Sequence, residues 1–441
     1  MAKQEPKRLL MLCYHFSPAV SGGVERSARF ARYLPEHGWT PFVVTTNRWG
    51  TPGGEDNRVL RVGELFRGRR RRAAGGGGTG TAAGPSPAAQ ARSARRAPFV
   101  RFAEKWLLVP DKHVRWTAMA LLPARGKLGR GGADAIYTTS PPASAHVLGL
   151  ILKRLTGKPW IMDLRDPWTL EPLNWYLRAG GARLSLERRI ERICFGGADA
   201  IIATTEEAAL EYRELYPGCA GRIHWIPNGF DARELEAARS PVPPAAYLEG
   251  LGEGCFVISH LGTFCRYTDA PAFPKGFLDA VKMLAAQGIL TSRTCRIVFA
   301  GGMNPETERL IARYDLGGLV SMTGPVPHID ALRIMLRSDL LLLYDPNPQG
   351  NYYIHGKLYE YLASGRWILG VLPAGATRTL LERSGRAIAI ANDDGEEIGR
   401  VLVRALRERG LSAARDDFDV SRYEGRREAR DLARIIEGAC R

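Results

Sequence analysis

The chain lacks any apolar run near the ~20 residues that span a bilayer, so no membrane-crossing helix is expected. Its N-terminus is charged, and Leu9–Tyr14 is too short for the apolar region of a signal peptide. The expected state is soluble or peripheral, on the cytoplasmic side. Cysteine is sparse: seven residues, an odd number, with no C-x-x-C pair. That argues against a disulfide frame or a zinc site and for reduced thiols. Neither half carries G-x-G-x-x-G, which disfavours NAD-dependent redox chemistry. Acidic residues are missing between Arg67 and Arg101, a stretch with nine arginines.

What is present fits a globular protein. At 441 residues, 45% hydrophobic and 24% charged, the chain is too long for one core, and two domains are expected. The net charge of +16 is concentrated, more than half of it in that arginine stretch. A nucleic-acid-binding surface over the whole protein is not required, whereas a local anionic partner fits. Residues 67–98, rich in Arg, Gly, Ala and Pro, are read as a disordered basic insertion. Phe99, Phe102 and Trp106 then alternate with basic residues at helical spacing.

Short apolar runs at Arg8–Tyr14, Trp39–Thr45, Ala135–Thr138, Trp160–Asp163 and Ala200–Thr204 predict strands separated by helices. After a turn at Pro227-Asn228-Gly229 and an expected linker over 232–249, the alternation restarts at Cys255–Leu261. It continues through Arg296–Ala300, Leu319–Thr323, Leu340–Tyr344, Trp367–Leu372 and Ala387–Ile390. Such alternation predicts α/β architecture: two Rossmann-like parallel-sheet domains facing a central cleft. The expected boundaries are 1–235, 236–415 and a terminal helix within 416–441 that packs back on the first domain.

Candidate site residues cluster where strands end, because open α/β sheets bind ligands at the carboxyl ends of their strands. Leu340–Tyr344 leads through a Pro- and Gly-containing loop into a helix beginning near Lys357. Lys357 and Glu360, spaced i, i+3, share one face of its first turn. There a cation and free helix N–H groups suit phosphate, and a carboxylate suits a ribose diol. A solvated Lys–Glu pair is the plain structural alternative. Gly22 and Gly23 open the first helix, and Gly262 with Thr263 end a strand, with Arg266 nearby. Small residues at such points let phosphates approach the backbone. Asp163 and Asp166 flank Arg165 beyond the Trp160 strand, placed to orient an acceptor hydroxyl or take its proton; an ion-pair cluster is the alternative. His146 follows a double proline at a helix start, and His15 and Tyr14 follow the first strand. Asp417-Phe418-Asp419 looks like a metal triplet but precedes a helix, where capping is expected, and no metal site is assigned.

Taken in order, FSPAVSGGVERSARFARYLPEHGW, PDKHVRW, TTSPPASAH, DLRDPW, ADAIIATTEEA, IPNGFD, HLGTF and HGKLYEYLASG resemble the family 4 glycosyltransferases. That retaining group has the GT-B fold, and the likeness is to bacterial members that build polysaccharide or lipopolysaccharide. The resemblance implies a nucleotide-diphosphate sugar held by the second domain and a saccharide or lipid-linked acceptor held by the first. It implies that Glu360 accepts the ribose hydroxyls, Lys357 contacts the diphosphate and Gly22-Gly23 closes over the phosphates. It also implies that no metal or other cofactor is needed. The family often has two glutamates separated by seven residues; here Tyr352 stands at the first position and only Glu360 remains. In the front-face mechanism the leaving phosphate takes the acceptor proton, and Asp163, Asp166 and His146 would position the acceptor. Two other readings compete: an NDP-sugar epimerase of the same architecture, and a non-catalytic protein that binds polyanions through its basic segment. The arginine tract with the Phe102/Trp106 helix also suits the anionic inner face of the cytoplasmic membrane.

Overall fold

The structure is a computed structural model. It describes residues 6–19, 22–49, 57–65, 106–129, 131–170, 181–240, 254–263, 274–345, 352–391, 393–408 and 418–441. Arg266, the basic insertion 67–98, Phe99 and Phe102, and the loop from Pro346 to Gly350 lie outside the described residues.

The strands are β1 (Lys7–Leu12), β2 (Trp39–Thr46), β3 (Val59–Val62), β4 (Ala135–Ser140), β5 (Trp160–Leu164), β6 (Ala200–Ala203), β7 (Ile223–Trp225), β8 (Phe256–Leu261), β9 (Cys295–Ala300), β10 (Val320–Gly324), β11 (Leu340–Tyr344), β12 (Trp367–Val371) and β13 (Ala387–Ile390). The helices are α1 (Gly22–Tyr33), α2 (Val114–Gly126), α3 (Ser144–Thr156), α4 (Ala182–Gly197), α5 (Glu206–Leu215), α6 (Ala232–Arg239), α7 (Lys275–Ala286), α8 (Pro305–Arg313), α9 (His328–Arg337), α10 (Gly356–Ser364), α11 (Ala376–Arg383), α12 (Gly395–Glu408) and α13 (Gly425–Ala439).

They form two compact units, one running up to Gly229 and completed by Tyr423–Arg441, the other spanning Phe230–Arg422. The first unit has a seven-stranded sheet ordered β3-β2-β1-β4-β5-β6-β7, all parallel. Its central strands are buried along nearly their whole length, as sheets covered on both faces require. On one face α1 and α13 pack Phe30, Tyr33, Leu432 and Ile436 against Leu9, Met11 and Tyr137. Arg29 and Glu428 tie those helices with a buried ion pair of 3.0 Å.

The second unit has a six-stranded parallel sheet ordered β10-β9-β8-β11-β12-β13. Strand order reverses between β1 and β4 in the first sheet and between β8 and β11 in the second. These are the switch points where open α/β sheets leave a crevice at their carboxyl edge.

Three features differ from the sequence expectation. Residues 232–239, expected within the linker, form α6, with Asp231 capping the Arg233 N–H at 3.0 Å and α6 packed on α9. Strands β3 and β7 were not expected; both are short, with few fully buried side chains.

Candidate active site

In the second unit the switch point brings together the end of β8, the end of β11 and the start of α10. His260, on β8, is buried. Its Nδ1 lies 3.0 Å from the Leu342 carbonyl oxygen. A carbonyl only accepts, so Nδ1 carries the proton and Nε2 presents a lone pair. That lone pair accepts from the Lys357 ammonium at 3.2 Å. Burial first, and the Lys357 charge second, hold His260 well below the ordinary imidazole value, so the ring is neutral. Lys357 is thereby laid against the turn after β8: a Cβ built on Gly262, where φ is +89°, would be 3.6 Å from its Nζ. One helical turn on, the Tyr361 hydroxyl accepts from the Leu261 N–H at 2.9 Å. Two residues of α10 thus pin the helix start to the end of β8. Gly301 completes the floor, since a Cβ there would lie 2.0 Å from the Gly262 oxygen. On the far side of the loop, His355 Nε2 meets Asp345 Oδ2 at 2.6 Å and joins the end of β11 to the residue capping α10.

Glu360 shares the first turn but faces another partner. Its Oε1 is 3.3 Å from His328 Nε2, which is also 3.4 Å from Glu234 of α6. The plain Lys–Glu pair is therefore not the arrangement: Lys357 goes to His260 and Glu360 to His328. The structure brings Gly262, Lys357 and Glu360 to one sheet edge, with Thr263 following the turn. Sequence reasoning missed His260, His328 and Tyr361. A histidine inside the apolar strand FVISHL was the available signal, because a buried polar side chain must have partners.

At the first unit's sheet edge the expected acceptor-handling residues fare differently. Asp163 is fully buried. Arg26 grips it with two bonds, Nε to Oδ2 at 2.9 Å and Nη2 to Oδ1 at 3.0 Å. The Tyr137 hydroxyl donates to it and Thr139 Oγ1 approaches at 3.4 Å. Arg26 also donates to the Ile226 and Pro227 carbonyls. The expectation that Asp163 handles an acceptor is corrected: the carboxylate is shut from solvent in a closed knot joining α1, β4, β5 and the turn before Gly229. His146 is likewise enclosed, with Nδ1 2.8 Å from Thr138 Oγ1 and, among the described residues, no partner at Nε2. Burial pushes it down to about 3. A neutral imidazole shut from solvent does not reach an acceptor, so that assignment is also corrected. Asp166 is the partly exposed carboxylate here, 3.7 Å from Arg165 Nη2.

Gly22 and Gly23 do begin α1. The room Gly23 leaves is taken by the protein itself: Arg165 Nη1 donates to the Gly23 oxygen at 2.5 Å, and a Cβ on Gly23 would be 2.2 Å from that nitrogen.

Beyond β1, β2 and β3 lies an aromatic group. Tyr14 packs on His113 with ring centres 4.1 Å apart and on Trp116 at 5.4 Å, and His15 lies 5.2 Å from Trp49. Arg48 covers Trp49, and the Tyr14 hydroxyl donates to Glu64. Burial and Glu64 push Tyr14 up to about 12; burial, then nearby cations, push His113 down to about 3. Tyr14 and Trp116 are buried, and the part-exposed rings of His15 and Trp49, beside a guanidinium, suit a ligand with apolar faces and a polar rim. Of these residues, the sequence reading weighed Tyr14 and His15 alone as candidates.

Residues 21–234 match the family model described as Glycosyltransferase Family 4. No curated protein matches the chain. Among solved structures, Anabaena Alr3699/HepE in complex with UDP and glucose is similar at 14% identity over 97% of this chain and 94% of that one, with a TM-score of 0.54. Sucrose-phosphate synthase from Thermosynechococcus elongatus is 12% identical over 98% and 96%, with a TM-score of 0.56. UDP-GlcNAc 2-epimerase from Methanocaldococcus jannaschii is 11% identical over 98% and 99%, also with a TM-score of 0.56. The chain thus has two parallel Rossmann-like units of the GT-B class, and residues 21–234 of it are similar to glycosyltransferase family 4.

Proposed function

We propose that this glycosyltransferase moves a hexose from a nucleotide-diphosphate donor to a saccharide or lipid-linked acceptor, with retention, in cell-surface polysaccharide or glycolipid synthesis. The observation that carries the reading is the pairing of a cation and a carboxylate on the first turn of α10, at the β8/β11 switch point, with the cation held against the Gly262 turn. The UDP and UDP-glucose complexes of the Anabaena protein support a donor of this class.

In this scheme the Lys357 ammonium and the N–H groups opening α10 stabilise the leaving diphosphate as charge develops on it. Glu360 exchanges His328 for the ribose diol. These groups carry the leaving charge, so no metal or cofactor is required. The part-exposed rings of His15 and Trp49 stack the acceptor ring, Asp166 orients its hydroxyl, and the leaving phosphate takes the proton. Under this reading the enzyme is cytoplasmic and peripheral on the inner face of the membrane.

A thermal-shift panel of UDP, GDP, ADP and CMP tests the donor site. One diphosphate raises the melting temperature of the wild type, because a ligand that binds the folded state alone stabilises it. Lys357→Ala and Glu360→Ala blunt that rise. A panel in which no nucleotide shifts the melt overturns the reading. Incubation with donor alone separates the epimerase alternative, which the Methanocaldococcus likeness raises: epimerised sugar formed without acceptor would favour it.

A further inference from the structure

Helices α2, α3 and α4 pack side by side, α2 on α3 and α3 on α4. Their outward residues have a one-sided composition. Six large apolar side chains are exposed: Met119 and Leu122 on α2, Ile151 and Leu155 on α3, Leu186 and Ile193 on α4. Leu122 is 73% exposed and Leu155 52%. Between them stand Arg125, Arg154, Arg188, Arg189 and Arg192, all exposed. No exposed acidic residue lies on any of the three helices. Helices α2 and α3 contain none, and the two on α4, Glu187 and Glu191, are fully buried. Glu187 pairs with Arg183 and accepts from Trp168 Nε1; Glu191 accepts from Thr169 and Tyr216. The pattern stops at the next helix, where Glu206 and Glu214 of α5 are exposed again.

We propose that the α2–α3–α4 face docks on an anionic lipid bilayer. Arginine pairs with lipid phosphates, and aliphatic tips between the arginines enter the headgroup–acyl boundary. Charge argues against a second copy of the same face, since the arginines would oppose one another. Nucleic acid would use the arginines but give Leu122 and Leu155 nothing to bury against. None of these residues belongs to the 67–98 tract, and none takes part in the proposed transfer reaction.

The test is co-sedimentation of the full chain with phosphatidylglycerol/phosphatidylcholine vesicles and with phosphatidylcholine vesicles alone. The wild type binds the anionic vesicles and leaves the neutral ones in solution. Arg188→Glu/Arg189→Glu/Arg192→Glu lowers that binding at least about 20-fold, since each cation near such a surface contributes several-fold. Leu122→Ser/Leu155→Ser lowers it too, most visibly at high salt, where the charge contribution is screened. Deletion of 67–98 leaves most of the binding in place. Circular dichroism and melting curves confirm that each variant is folded. Equal binding to both vesicles, full retention by the triple variant, or loss on deleting 67–98 alone overturns the proposal. So does tighter binding to a DNA duplex that Leu122→Ser/Leu155→Ser does not weaken.

Discussion

Each unit sets an opposite-charge pair at the carboxyl edge of its sheet, and the two pairs are built for different ends. Arg26 and Asp163 in the first unit are buried, bonded to each other twice and to the backbone around them. Lys357 and Glu360 in the second unit are part-exposed, and each meets a histidine, at 3.2 and 3.3 Å. A sheet-edge address therefore does not make a site. What separates the pairs is whether a ligand could replace the existing partners at low cost. A closed pair has traded its water for fixed protein bonds, whereas a part-exposed side chain keeps access to water and can change partner.

The largest expected effect breaks the closed pair. Asp163→Asn leaves Arg26 buried without its counterion, and removing one partner of a buried pair costs about 3–5 kcal/mol. Urea melts should show that loss, and Arg26→Met/Asp163→Leu should recover part of it. An Asp163→Asn protein of unchanged stability that no longer turns over would restore the catalytic assignment and erase the contrast. Lys357→Ala and Glu360→Ala, by comparison, should cost under about 1 kcal/mol, as part-exposed pairs do.

Next comes Gly23→Ala. The added methyl lands on the Arg165 guanidinium, which is tied to the Gly23 oxygen and held beside Asp166. Overpacking of this kind costs roughly 1–3 kcal/mol. Gly23→Ala/Arg165→Ala should remove most of that penalty, because the clash is with that side chain. If the double variant is no more stable than Gly23→Ala, the glycine is needed for something other than room for Arg165.

Much of this contrast was legible in the sequence, and the rest was hidden for a physical reason. The strands of the second sheet announce themselves as apolar runs bounded by glycine and polar residues, and the i, i+3 spacing of Lys357 and Glu360 places them on one turn. Edge strands such as Ile223–Trp225 bury too little to stand out. Helix α6 is legible in Asp231 ahead of ARELEAAR, a cap followed by strong helix formers, although the segment runs on into the proline-rich stretch after Ser240. Partner choice is not local. Asp163 and Lys357 look alike as charged residues after strands; that one meets Arg26, 137 positions away, and the other His260, 97 positions away, is settled only by tertiary packing.

A finer test uses His260. If its lone pair holds the ammonium where a diphosphate binds, His260→Ala should weaken the nucleoside diphosphate roughly tenfold, the worth of one hydrogen bond to a charged group. It should leave the matching monophosphate unchanged. Calorimetry with both ligands reads the difference. Equal losses for the two would make His260 a packing residue.

The smallest effect concerns the other enclosed imidazole. His146 and His260 are both buried and neutral, but His260 Nε2 receives Lys357 while His146 Nε2 has no partner among the described residues. With a folded value of about 3 against an ordinary 6.5, His146 takes up its proton in the unfolded chain well before the folded one. The unfolded state then holds more protons between those values, so stability rises with pH there. The contribution is complete above 6.5 and is lost as pH falls toward 3. Replacing His146 with leucine removes that dependence. Between pH 7.5 and 5.5 the wild type should lose about 1 kcal/mol more than His146→Leu does. Parallel curves for the two proteins would mean that the ring already takes a proton in the folded state, and so reaches water or a partner after all.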